Sequence, residues 1–106
     1  MIHDIERIAR MERILKEASG AIRNLTEAAN AYAALQADLS ELEAYYGSDA
    51  WMRDYEADEK GLLPRDLKRG VLSEDAVYNL LTDHDALKSL LQELTLSFEN
   101  EKATPD

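Results

Sequence analysis

Four carboxylates, Asp54, Glu56, Asp58 and Glu59, stand within residues 54–59. On a helix Asp54 and Asp58 fall one turn apart, a spacing at which two oxygens could share a hard cation. The alternating D-x-[DN]-x-[DN]-G run and terminal Glu of a calcium loop are missing around them. An acidic surface is therefore the preferred reading. Thr82-Asp83-His84-Asp85 sets a histidine between two carboxylates, but successive helical side chains point about 100° apart and do not converge on one ligand. His3 has no second histidine at metal spacing. There is no H-E-x-x-H, no glycine-rich phosphate loop and no nucleophile elbow. The chain has no cysteine, which removes thiol nucleophiles, thiolate metal sites and disulfides. No catalytic residue, metal ligand or cofactor is assigned.

The remaining chemically conspicuous group is aromatic. Tyr45, Tyr46, Trp51 and Tyr55 are four of the seven aromatic residues. Such residues concentrate at interaction hot spots. They also plug junctions between helices, burying area while a polar tip reaches outward. The plug is the preferred reading.

These residues need elements to hold them. From Ile2 to Tyr46 there is no proline and one glycine, Gly20. Ile8, Met11, Leu15, Ala18, Ile22, Leu25, Ala29 and Tyr32 recur in alternating steps of three and four, the seam of a helix packing along a partner. Two steps of three follow each other at Ala29, Tyr32 and Leu35, which predicts overwinding or a bend. A break near residues 36–40, capped by Asp38 or Ser40, is expected. Glu6–Arg10 and Glu12–Lys16 are at favourable ion-pair spacing. The last helix is expected to start at Ser73 as N-cap, with Glu74 and Asp75 in its first turn. Its seam runs Val77, Leu80, His84, Leu87, Leu91, Leu94 and Phe98, widened by Leu81 and Leu90. At a seam position His84 reads as a register-setting polar residue.

Between the long helices lie three of the four glycines and one of two prolines. Ser48 or Asp49 predicts the N-cap of a short helix ending before Gly61, with Trp51 and Tyr55 on one face. Pro64 predicts a second short helix, with Gly70 as its left-handed terminator and Val71 and Leu72 docking the turn on the core. The fold expected is all-α: a long-helix hairpin or bundle with two short capping helices in the central connection and coiled-coil-like packing. Residues 1–99 form the expected single domain, and 100–106 an acidic tail that frays.

The formal net charge is −10 over 106 residues. Phosphate or an anionic membrane calls for clustered Lys and Arg, and so acidic a chain disfavours both, so neither nucleic acid nor membrane is an expected partner. Charge is uneven: residues 24–59 hold nine acidic side chains and one basic, Arg53, whereas 60–70 hold Lys60, Arg65, Lys68 and Arg69 against Asp66. Two solvated faces are preferred over mutual attraction. The N-terminus lacks the apolar core of a signal peptide, and no run approaches the roughly 20 apolar residues of a membrane span. A cytoplasmic location is expected.

Taken together, the run LEAYYGSDAWMRDYEADEKGLLPRDLKRGVLSEDAVYNLL resembles a bacterial family catalogued only as a domain of unknown function, number 4298 in that series. The likeness centres on Tyr45-Tyr46, Trp51, Asp54-Tyr55, Pro64 and the stretch Gly70-Val71-Leu72-Ser73-Glu74-Asp75, and the N-terminal IERIARMERIL run resembles the family's first helix. The resemblance implies a small helical protein and no activity.

One further expectation comes from length. At 1.5 Å per residue, residues 2–46 would extend roughly 65 Å and residues 73–98 roughly 40 Å. One helix cannot cover the other, so a second chain is expected on the surplus, most simply in a homodimer. The leading functional expectation is a non-enzymatic, self-associating protein–protein interaction module presenting a helical face or the aromatic cap. Two alternatives stand beside it. One is an acidic inhibitor or nucleic-acid mimic using residues 38–59 against a basic enzyme. The other is a small metal-dependent enzyme using Asp54, Asp58 and His84.

Overall fold

Helix α1 spans Ile2–Ala34 in the computed structural model, which describes residues 1–103. Its length follows from unbroken helix-favouring sequence: alanines are dense and no proline interrupts it. Its arginine–carboxylate pairs are Asp4–Arg7 at 2.9 Å and Arg13–Glu17 at 3.9 Å, not the expected Glu6–Arg10 and Glu12–Lys16. Such exposed pairs contribute so little that partner choice is nearly free. Helix α1 buries no residue.

At Leu35 the helix tightens. The Leu35 N–H donates to the Tyr32 carbonyl three residues back at 3.1 Å, where the apolar steps slip. Helix α2 follows directly as Gln36–Tyr45. The break therefore precedes the expected 36–40 window, and Asp38 and Ser40 lie inside α2 rather than capping it. No cap is needed, because the Leu39 N–H reaches the Leu35 carbonyl at 2.8 Å across the junction.

Gly47 turns the chain with φ +80°, and Ser48 opens α3, Asp49–Glu59, its hydroxyl accepting from the Trp51 N–H at 3.2 Å. Gly61, at φ +71°, closes α3. The Leu62 N–H reaches Ala57 O and the Gly61 N–H reaches Asp58 O, both at 3.0 Å. This paired pattern satisfies the last carbonyls and requires a left-handed residue.

Two expectations fail in the next stretch. Pro64 begins no helix; its carbonyl accepts from the Leu67 N–H in a single turn, since six residues before Gly70 do not repay helix nucleation. Gly70 is not left-handed. It starts a 3₁₀ turn, Gly70–Leu72, and a Cβ built on it meets nothing within 4 Å. Gly61→Ala should therefore cost about 1–2 kcal/mol, and Gly70→Ala should stay within about 0.5 kcal/mol of wild type. Urea unfolding of the two variants checks this contrast.

Ser73 closes the 3₁₀ turn and opens the last helix at once. Its hydroxyl donates to Gly70 O at 2.8 Å and accepts from the Ala76 N–H at 3.2 Å. Helix α4 runs Ala76–Ala103, so Glu74 and Asp75, expected in its first turn, stand in the turn that precedes it. Of the tail from residue 100, residues 100–103 belong to α4, where Lys102 suits the negative end of the helix; the rest of the tail lies outside the described residues. On α4, Val77 is buried and Leu81, His84 and Leu87 are half-buried. Leu80, Leu91, Leu94 and Phe98 are exposed.

Four helices and no strand are present among the described residues: an all-α chain whose long first and last helices flank short helices in the connection. It divides into two compact units, Met1–Ser40 and Glu41–Asp106. The buried apolar side chains, Trp51, Leu72 and Val77, belong to the second. No helix is long and apolar enough to cross a membrane.

Candidate interaction site

Trp51 organises the second unit. Its ring stacks on Tyr55, one turn along α3, with centroids 5.4 Å apart and planes at 25°. Tyr46 meets it edge-on at 5.5 Å and 74°. The indole N–H donates to Val71 O at 3.0 Å, and the Tyr46 hydroxyl donates to Glu74 O at 3.0 Å. Two aromatic side chains from one end of the unit thus bond the backbone of the 3₁₀ turn and of the α4 cap. Leu72 and Val77 are buried in this unit as well. Of the residues singled out in the sequence, Tyr46, Trp51, Tyr55, Val71 and Glu74 meet here, and Ser73 and Asp75 hold the start of α4. Asp75 acts through its carbonyl, which accepts from the Asn79 N–H at 2.8 Å. His84 lies two turns further along α4.

Asp54 and Asp58, the two considered for a shared cation, each have a protein partner. Asp54 accepts from the Tyr45 hydroxyl at 2.6 Å. Asp58 accepts from the Arg69 guanidinium at 2.7 Å, both side chains about one-third exposed. Among the described residues no three His, Asp or Glu side chains gather as a metal site. The Asp58–Arg69 pair was not foreseen residue by residue. Its signal was the opposite charge of residues 24–59 and 60–70, read there as two solvated faces.

A cleft of about 320 Å³ opens beside these pairs. Leu63, Leu67, Val71 and Leu72 give it an apolar lining, and Tyr45–Asp54 and Lys68–Arg69 supply polar groups. Leu63 and Leu67 carry no motif, so nothing in the sequence marked them, and Lys68 stood out only as part of the basic block of residues 60–70.

The hydrogen bond to Asp54 is the main cause that pushes the Tyr45 hydroxyl up to about 12 from 10.0, aided by burial and by the carboxylate's charge. Tyr55 is also raised, chiefly because Glu59 accepts from its hydroxyl. A phenol whose folded pKa exceeds its unfolded value binds more protons in the folded state over the interval between the two. Stability from the Tyr45 bond is thus complete below about pH 10 and is lost as pH rises toward about 12. Denaturation midpoints measured across this window should fall more steeply for wild type than for Tyr45→Phe.

The model of a family described as a domain of unknown function (DUF4298) matches residues 8–94, and the chain belongs to that family. No curated protein and no solved structure matches it.

Proposed function

We propose that this member of the DUF4298 family is a non-enzymatic protein–protein interaction module that self-associates, as a homodimer, through the apolar face of its first helix. The carrying observation is the state of that face. Ile5, Ile8, Leu15, Ile22 and Leu25 are each 59–66% exposed, and Met11 and Ile14 are 48% and 42% exposed. At roughly 100 Å² each, they leave roughly 700 Å² of apolar surface uncovered, above the ~300–600 Å² of the largest patch on a typical monomer. That area is close to the ~800 Å² per partner of a standard interface. The exposed Leu91, Leu94 and Phe98 on α4 give the module a second apolar surface for another protein.

The assignment of a non-catalytic role draws on how the polar side chains of the second unit are used. Tyr45, Tyr46, Trp51, Asp54, Asp58 and Arg69 each bond another part of the same unit. A charge of −10 accords with a protein partner in the cytoplasm rather than nucleic acid or an anionic membrane.

Sedimentation velocity over a wide concentration range tests self-association. Twice the chain mass of 12.0 kDa is expected at high concentration. A species of single-chain mass throughout would remove self-association from the proposal.

A further inference from the structure

We infer that the occupant of the α1 face is α1 of a second copy, lying antiparallel about a twofold axis at Gly20; this rests on the self-association reading and specifies its partner. The heptad seam forms two columns: Ile8, Leu15, Ile22 and Ala29, and Met11, Ala18, Leu25 and Tyr32. All eight fall within the uninterrupted helix Ile2–Ala34, so roughly 36 Å of straight seam is offered.

In a parallel pair each column meets itself. Ala18 then faces Ala18 and Ala29 faces Ala29, which leaves two thin layers in the core, while Ile8, Met11, Leu15, Ile22 and Leu25 face their own kind. Voids of even a methyl group are costly in a packed seam. Turned antiparallel about Gly20, every residue of one column meets one of the other. Met11 meets Ala29, Ile22 meets Ala18, Leu15 meets Leu25, and Ile8 meets Tyr32. Three of the four layers thereby match a large side chain with a small or equal one.

Charge decides little: residues 4–17 hold Arg7, Arg10, Arg13 and Lys16 against Asp4, Glu6, Glu12 and Glu17, and residues 21–34 hold Arg23 against Glu27. The antiparallel pair opposes the two helix dipoles. The one attraction special to the parallel pair, Arg7 with Glu12, is an exposed contact worth well under about 1 kcal/mol. The two alanine layers outweigh it.

The chain has no cysteine, so introduced thiols are its only ones. Leu15→Cys and Leu25→Cys chains, mixed under a glutathione redox buffer, should give the mixed disulfide dimer in at least roughly tenfold excess over either homodimer, because like thiols in the antiparallel pair stand about 15 Å apart along the axis. Since a core cysteine can weaken the pair itself, spin labels on the exposed outer positions Arg10→Cys and Glu17→Cys supply an independent reading. The antiparallel pair places the labels at 10 more than about 10 Å further apart than those at 17, whereas a parallel pair gives equal separations. Disulfide homodimers of Leu15→Cys, or equal label distances, would overturn the antiparallel pair and leave self-association standing. A dimer by sedimentation with neither cross-link nor short label distance would move the interface off α1. A single-chain mass throughout would overturn both readings together.

Discussion

Trp51→Ala should destabilise the unit Glu41–Asp106 by about 3–5 kcal/mol, the range for removing a buried tryptophan from a core. Three losses combine. The Tyr55 and Tyr46 rings lose the surface between them. The Val71 carbonyl loses its indole donor. The small core of Trp51, Leu72 and Val77 loses its largest member and has few neighbours with which to refill the space. A melting decrease on the order of 20 °C would accompany such a loss. Trp51→Phe keeps a ring between the tyrosines and removes mainly the hydrogen bond, so it should cost about 1–2 kcal/mol. Trp51 is the only tryptophan, so wild-type fluorescence reports this transition, and circular dichroism follows it in both variants. Melting of Trp51→Ala within a few degrees of wild type would mean that the stacked rings contribute little to this unit.

How much of this was legible in the sequence depends on how local each cause is. The Ser48 and Ser73 caps, the shared face of Trp51 and Tyr55 and the slip at Leu35 rest on residues within a turn or two of each other, and each can be read from spacing. The Gly70 error shows the limit of that reading. A glycine between a basic stretch and an apolar pair resembles a helix stop, but the left-handed positions are Gly47 and Gly61, and the geometry at 70 is set by the 3₁₀ turn that presents the Val71 carbonyl to Trp51. That bond spans 20 residues, and Tyr46 to Glu74 spans 28. No periodicity encodes such contacts. For the same reason Tyr45–Asp54 and Asp58–Arg69 were invisible as pairs even though their residue types and charge blocks stood out.

Replacing Leu15 and Ile22 together by glutamate should abolish self-association, weakening it by at least roughly 100-fold, because each partner would bury carboxylates with no compensating cation in the seam. The consequence reaches α1 itself. With no buried residue, this helix stands on propensity and exposed ion pairs, which leave an isolated helix marginal in water. Association supplies the missing burial, so wild-type helicity at 222 nm should rise with protein concentration, as stability linked to a partner must. The double variant should show lower helicity that does not depend on concentration. Its Trp51 fluorescence transition should match wild type, because that side chain reports the other unit. Equal mass and equal helicity for variant and wild type at every concentration would show that the first helix is held by something other than a second copy of its own apolar face.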